Sequence, residues 1–263
     1  MIRLICLDVD GTLLGARGVA PRVWPALQRA REAGIRLALC SGRPGFGNTR
    51  ALAGQVEPGG WHVFQNGASI LQLATGRSLS ARHAPATIAG LIATARDEGR
   101  VLELYTDIDY AVESRGDRAR RHAELLGLPF VPRPFEALGN PVVRAQWLSP
   151  VEDEARILSE PHDGLEVAPS TAPSMPDTVF VNLTPRGVSK ASAMVALARE
   201  YGVSMSDVMF VGDGLNDLSA LRVAGHPVAM ANAAPEMRQA ARLHVGTAEE
   251  GGVADAIDFA LRS

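Results

Sequence analysis

The chain has 263 residues, of which 46% are hydrophobic and 21% are charged, a composition that predicts a packed core rather than disorder. Its formal net charge of -3 lacks the basic excess of a nucleic-acid-binding protein, and no apolar run approaches the roughly 18 residues that span a bilayer. We therefore expect neither nucleic acid nor a membrane as a partner. The two cysteines, Cys6 and Cys40, form no disulfide framework, which makes a reducing cytoplasm the expected location. Acidic residues interrupt the N-terminal apolar run too early for a signal peptide.

The opening segment, residues 5–14, joins an apolar run to two closely spaced acids. Asp8 and Asp10 end the run at positions i and i+2, and Gly11 and Thr12 come next. Alternate residues of a strand point to one side, so both carboxylates can address a single site. Two close carboxylates repel each other, which favours a bound cation, a nucleophile with a separate acid/base, or both. An ordinary acidic turn is the structural alternative, whereas a calcium loop is excluded because Gly11 directly follows Asp10.

Two further predicted strands also end in polar residues. A helical pattern follows the opening strand, and a buried strand over residues 36–40 then runs into Ser41. Another strand, over residues 61–65, runs into Asn66. Strands alternating with helices predict parallel βαβ units, hence the α/β fold class. Ligands bind beyond the carboxyl ends of such strands, where Asp8, Ser41 and Asn66 all fall.

The middle of the chain has a different pattern. Prolines accumulate there, and strand pairs replace single strands. The helical patterns cover residues 86–98, 118–126 and 151–158, and the strand segments cover residues 102–106, 110–113, 142–148, 165–168 and 178–183. We predict a separate α+β domain over residues 82–184, inserted into a discontinuous domain of residues 1–81 and 185–263. The basic run 115–121 is typical of a solvated helix face, with steering of an anionic substrate as the alternative.

The parallel-sheet pattern resumes after the insertion. A helix over residues 188–201 carries Lys190 in its first turn, and this is the single lysine among 26 basic residues. A buried strand over residues 208–211 runs into Gly212-Asp213-Gly214-Leu215-Asn216-Asp217, a second acidic strand end. Strands over residues 227–230 and 243–245 and a helix over residues 253–261 complete the pattern. Singly, Ser41 or Asn216 could merely cap a helix.

Together these motifs resemble the haloacid dehalogenase superfamily, and in particular its Cof-type branch of sugar-phosphate phosphatases. The resemblance rests on Asp8-x-Asp10-Gly11-Thr12-Leu13, Ser41-Gly42-Arg43, Asn66-Gly67-Ala68, Lys190, Gly212-Asp213-x-x-Asn216-Asp217 and the tail segments 228–233 and 250–254. It implies a Rossmann-like parallel-sheet core with helices on both faces, plus an inserted cap domain. Ala191 and Ala231 depart from the family, which usually has Gly at both positions. Both are small, so we expect only local backbone adjustment.

The resemblance also implies roles for individual residues. Asp8 corresponds to the family's nucleophile and Asp10 to its acid/base. Mg²⁺ is the expected cofactor, with Asp8, the backbone carbonyl of Asp10, Asp213 and Asp217 as its ligands. The expected phosphate-binding residues are Gly11, Thr12, Ser41, Gly42, Lys190 and Asn216, and the expected substrate-binding residues are Arg43 and Asn66.

Three functions remain open at this point. The first is a Mg²⁺-dependent phosphatase that hydrolyses a small phosphomonoester, such as a sugar phosphate, through an aspartyl-phosphate. A phosphomutase would share the same core chemistry. A non-catalytic phospho-acceptor or phosphate-binding module is the third, although such a module needs no leaving-group acid at position 10. The expected partner is a small phosphorylated metabolite, and the motifs decide neither its identity nor between monomer and homodimer.

Overall fold

The computed structural model describes residues 1–172 and 174–263, and Pro173, in the proline-rich stretch, lies outside the described residues. The chain divides into two compact units. The first comprises Met1–Gly42, Arg50–Leu79 and Ser189–Ser263, and the second comprises Arg43–Thr49 and Ser80–Val188. Within the described ranges, no helix is both long and apolar enough to cross a membrane.

The described residues form helices together with strands in parallel and antiparallel sheets. The strands are β1 (Leu4–Leu7), β2 (Arg36–Leu39), β3 (Trp61–Phe64), β4 (Ser69–Gln72), β5 (Val101–Tyr105), β6 (Tyr110–Val112), β7 (Arg144–Pro150), β8 (Leu165–Ala172), β9 (Met175–Pro185), β10 (Val208–Gly212), β11 (His226–Met230) and β12 (Leu243–Val245). The helices are α1 (Val23–Glu32), α2 (Asn48–Val56), α3 (Pro85–Glu98), α4 (Asp117–Leu126), α5 (Glu154–Leu158), α6 (Lys190–Glu200), α7 (Leu218–Val223), α8 (Pro235–Ala240) and α9 (Gly252–Arg262).

A parallel sheet forms the centre of the first unit. Its strand order is β12-β11-β10-β1-β2, and every neighbouring pair is parallel. All four residues of β1 are apolar and buried, as expected for a strand covered on both faces. Helix α1 turns Val23, Ala26, Leu27 and Ala30 into the same core, at helical spacing. The predicted α/β class with a parallel-sheet core is therefore confirmed.

The third predicted strand pairs less completely than the βαβ pattern suggests. β3 forms a two-stranded antiparallel sheet with β4, and a parallel bridge between Cys40 and Val63 joins it to the chain just after β2. At the residue before Cys40, the Leu39 N–H donates to Nδ1 of His62 at 3.0 Å. The imidazole takes the place of a backbone acceptor there. Backbone pairing resumes at the next residues, where Ser41 N donates to Val63 O at 2.9 Å.

The second unit contains a five-stranded antiparallel sheet in the order β6-β5-β7-β9-β8. Side chains alternate along β5: Leu102 and Leu104 enter an apolar cluster, whereas Glu103 and Tyr105 point to the other face. Residues of α3 and α5 complete that cluster. The predicted inserted α+β unit is confirmed as a fold.

A short segment after β2, which includes the first two residues of α2, groups with the second unit. In Arg43–Thr49, the Phe46 ring stacks on those of Tyr105 and Tyr110, with centroids 6.5 and 6.3 Å away. Gly47 holds a left-handed backbone with φ of 58°, which favours glycine. The expected core range of residues 1–81 includes this segment, and the predicted domain boundaries stay predictions.

Candidate active site

Two acidic strand ends lie side by side in the first unit. β1 and β10 are parallel neighbours, with Leu7 opposite Val211. The Asp8 N–H donates to Val211 O at 2.9 Å and continues the pairing by one residue. Asp8 and Asp213 therefore leave neighbouring strands at the same edge of the sheet, as the sequence pattern predicts for ligand sites in α/β proteins.

Three carboxylates gather at this edge. One oxygen from each of Asp8, Asp213 and Asp217 lies within 4.8 Å of the others. Such an oxygen-only donor set suits a hard divalent cation. Asp10 is outside this set of side chains: it is exposed, because β1 ends at Leu7 and strand alternation does not continue to residue 10. The expected ligation by the Asp10 backbone carbonyl stays a prediction.

Lys190 bridges two of these carboxylates. It is the first residue of α6, where Ser189 caps the helix by accepting from Ser192 N. Its ammonium is buried and donates to Oδ1 of Asp8 at 2.6 Å and to Oδ1 of Asp217 at 2.5 Å. A buried ammonium is stable only with such partners, and this one fixes the distance between the two acids.

Burial and the close spacing of these charged groups shift the pKa values of the site. Burial raises the pKa of the Asp8 carboxyl to about 8, and the Asp217 carboxylate adds to the rise while Lys190 opposes it. Burial alone would lower the pKa of Lys190, but Asp8 and Asp217 outweigh it and hold that pKa above its ordinary value. Burial also raises the pKa of Asp213, against a hydrogen bond from Thr12. A divalent cation would favour the ionised form of every carboxylate in the cluster.

The loop after β1 packs against Asp213. Gly11 has a φ of 76°, and a Cβ there would lie 2.2 Å from Oδ2 of Asp213, so both backbone and space require glycine. The Thr12 hydroxyl donates to Oδ1 of Asp213 at 2.8 Å. Asn232 Nδ2 donates to Gly11 O at 2.8 Å and to Oδ2 of Asp213 at 3.2 Å.

Asn232 is a site residue that the sequence analysis missed. It follows β11, the strand next to β10, so it is another polar residue beyond a strand end. The strand-end argument that selects Asp8 and Asp213 would also have selected Asn232. It stood in the sequence analysis only as part of the tail segment 228–233.

Asp217 organises the loop after β10. One oxygen binds Lys190, and the other accepts from the backbone N–H groups of Asp213 and Gly214 at 3.2 and 3.1 Å. The side chain is fully buried. These contacts fold the loop back on itself and aim the Asp213 side chain at the cluster.

Of the other predicted residues, Ser41, Gly42 and Asn216 lie near Asn66 in the first unit, whereas Arg43 belongs to the second unit. Ser41 is buried at the end of β2, and its carbonyl accepts from Asn66 N at 2.9 Å. Asn216 is exposed, and its Nδ2 donates to Oδ1 of Asn66 at 3.1 Å. A Cβ at Gly42 would lie 3.1 Å from that same Oδ1. Arg43 belongs to the second unit, and its expected contact with substrate stays a prediction.

Comparison with known proteins supports the predicted family. The family model of the haloacid dehalogenase-like hydrolases matches residues 5–257. The chain is 26% identical to 5-amino-6-(5-phospho-D-ribitylamino)uracil phosphatase YwtE of Bacillus subtilis, over 99% of this chain and 98% of that protein. It is 28% identical to the HMP-PP phosphatase of Serratia proteamaculans, over 100% of this chain and 97% of that protein.

A solved structure extends the similarity to the whole fold. The crystal structure of a haloacid dehalogenase-like hydrolase from Bacteroides thetaiotaomicron superposes with a TM-score of 0.86 at 28% identity. The match covers 98% of this chain and 99% of that one. The family match, the full-length relatives and the fold agree with the resemblance predicted from the motifs, and the chain belongs to the haloacid dehalogenase-like hydrolases.

Proposed function

We propose that this protein is a Mg²⁺-dependent phosphatase that hydrolyses a small phosphomonoester through an aspartyl-phosphate on Asp8. The observation that carries the proposal is the buried ammonium of Lys190, held between Asp8 and Asp217 at 2.6 and 2.5 Å, beside the cluster completed by Asp213. Phosphoryl transfer depends mainly on positioning and on neutralising charge. A nucleophilic carboxylate beside a fixed ammonium and a cation-binding cluster meets both needs.

The first step transfers the phosphoryl group to the enzyme. An oxygen of Asp8 attacks phosphorus, the bond from phosphorus to the leaving oxygen breaks, and Asp10 gives its proton to that oxygen. The alcohol departs and the phosphoryl group remains on Asp8. Asp10 is exposed and lies outside the cluster of Asp8, Asp213 and Asp217, so its carboxyl is accessible for the proton transfer.

The second step releases phosphate. Water attacks phosphorus while Asp10 takes the proton, and the bond from phosphorus to the Asp8 oxygen breaks. Inorganic phosphate leaves and the Asp8 carboxylate is restored. Ser41, Lys190 and Asn216 would hold the phosphoryl oxygens in both steps, together with backbone N–H groups around Gly11, Thr12 and Gly42.

The carboxylates of Asp8, Asp213 and Asp217 would hold the cation, and they fit it because three oxygens lie within 4.8 Å of one another. When bound, Mg²⁺ supplies positive charge that offsets the charge of the transferring group. Lys190 supplies the protein's own share of that charge.

We also propose that the substrate is a small phosphorylated metabolite of the sugar-phosphate kind. The names of the two relatives each specify a small phosphorylated compound, which supports this substrate class. In this proposal, the predicted core domain of residues 1–81 and 185–263 carries out the reaction. The inserted domain of residues 82–184 selects the substrate.

Hydrolysis of p-nitrophenyl phosphate, with Mg²⁺ and with a chelator, tests the reaction class. We expect phosphate release that needs Mg²⁺ and no bisphosphate activator, which separates a phosphatase from a mutase. Asp8→Asn should fold normally and lose more than about a hundredfold in kcat, since loss of a nucleophile costs far more than that. Wild-type protein without Mg²⁺-dependent hydrolysis, or Asp8→Asn with more than a hundredth of the activity, would refute the proposal.

A further inference from the structure

The turn after β3 has an unusual backbone. Gln65, Asn66 and Gly67 adopt successive positive φ angles of 54°, 55° and 103°. Gln65 and Asn66 are also the two non-glycine residues with positive φ in the described part of the chain. This conformation is uncommon for L-residues, although Asn tolerates it better than most. Residues kept in sparsely populated backbone regions cluster at functional sites, where the surrounding structure holds them.

This turn contacts three segments that the proposed function assigns to phosphate binding. Asn66 N donates to the carbonyl of Ser41 at 2.9 Å, which ties the turn to the end of β2. A Cβ at Gly67 would lie 2.2 Å from the carbonyl oxygen of Ser189, so the turn packs directly against the start of the helix that carries Lys190. The third contact is the hydrogen bond from Asn216 Nδ2 to Oδ1 of Asn66, at 3.1 Å.

The third contact differs from the others because it joins two side chains. Asn216 is exposed, and its amide would be free to rotate without a fixed partner. Asn66 is half-buried, and its own position is fixed by the left-handed backbone and by its backbone bond to Ser41. The acceptor oxygen of Asn66 therefore holds one end of the Asn216 amide and sets the direction of its other end.

We propose that Asn66 is a positioning residue that orients the Asn216 amide for the phosphoryl group, rather than a residue that itself contacts substrate. The inference rests on the proposed function, because it takes a phosphoryl group as the ligand of Asn216. It replaces the substrate contact that the motif resemblance assigns to Asn66. Asn suits this position because it combines tolerance of a left-handed backbone with a short side chain that carries an acceptor.

A double-mutant cycle separates the two roles. Asn66→Ala, Asn216→Ala and the double variant are compared for kcat and KM with p-nitrophenyl phosphate, and for the Kd of inorganic phosphate in the presence of Mg²⁺. Asn66→Gly, which keeps access to the left-handed backbone, controls for misfolding. Asn140→Ala, in an exposed loop of the second unit, is the matched surface control.

We expect Asn66→Ala and Asn66→Gly each to lower kcat/KM about fivefold, the range of one neutral hydrogen bond. In the Asn216→Ala background, Asn66→Ala should change kcat/KM and phosphate Kd by less than about twofold, because the group on which Asn66 acts is gone. Losses that multiply in the double variant would overturn the inference, as would full activity in both Asn66 variants. If neither the wild-type protein nor any variant hydrolyses the ester but phosphate Kd shows the same non-additivity, the proposed function fails and the positioning role stands.

Discussion

Acidification should destabilise the first unit through one buried imidazole, that of His62. The side chain is fully buried; its Nδ1 accepts from the Leu39 N–H, and its Nε2 lies 3.0 Å from the carbonyl of Glu57. This pairing requires the neutral ring, with its single proton on Nε2. Burial lowers the pKa of His62 to about 4, although the hydrogen bond to Glu57 opposes the decrease.

The size and sign of the effect follow from linkage. The pKa of an unfolded histidine is about 6.5. Between that pH and about pH 4, the unfolded chain therefore binds a proton on His62 that the folded chain does not bind. Stability is therefore lost as pH falls from about 6.5 to 4, and the loss approaches about 3.4 kcal/mol at 1.36 kcal/mol per pH unit. At pH 4.5 most of it, about 2.5 kcal/mol, is already lost.

Urea unfolding at pH 7.5 and pH 4.5 measures this loss, and the difference between wild type and His62→Gln isolates it from the carboxylates. His62→Gln should be less stable at pH 7.5 because its hydrogen bonds are imperfect, yet its stability should fall between the two pH values by about 2.5 kcal/mol less than that of wild type. His244→Gln, in an exposed position, should follow the wild-type pH dependence. Equal pH-dependent losses in wild type and His62→Gln would refute the reasoning.

Two further predictions concern groups to which the proposed function gives a catalytic role. Asp10→Asn should lower turnover about 10²–10⁴-fold, the range for general acid–base catalysis. The loss in the first step should be smaller for aryl phosphates than for alkyl phosphates. Equal losses for the two ester types in single-turnover measurements would exclude the acid role. Lys190→Arg should lower kcat about 10²-fold, because a planar guanidinium is too wide for the space that the ammonium fills between Asp8 and Asp217. Arg262→Lys on the exposed end of α9 is its control, and a Lys190→Arg rate within about threefold of wild type would contradict the argument.

Much of the candidate active site could be predicted from the sequence because strand ends are local signals. An apolar run of four or five residues marks each buried strand, and the residue that follows the run must lie at the sheet's carboxyl edge. Asp8, Ser41 and Asp213 were located in this way, and the pairing of β1 with β10 brings two of them together. Lys190 was noticed for a different reason, as the single lysine of the chain.

The features that could not be predicted depend on contacts between distant residues. The imidazole of His62 replaces a backbone acceptor for Leu39, and the period-2 strand pattern gives no sign of such a substitution. The segment Arg43–Thr49 has the composition of an ordinary loop, and its grouping with the second unit involves tertiary contacts such as those of Phe46 with the rings of Tyr105 and Tyr110. Both features depend on the tertiary fold, which local patterning does not encode.

The charge balance of the site links the proposed cation to the proposed nucleophile. Three carboxylates and one ammonium leave a formal charge of -2 when all are ionised (three negative charges less one positive), in a place where Asp8 and Asp217 are buried. Burial and the Asp217 carboxylate raise the pKa of Asp8 to about 8, while Lys190 opposes the rise. A divalent cation held by the same carboxylates would cancel the excess and favour the ionised form of Asp8. On the proposed function, Mg²⁺ would therefore act here in two ways, by offsetting the charge of the phosphoryl group and by favouring the ionised Asp8 that the proposed attack on phosphorus requires.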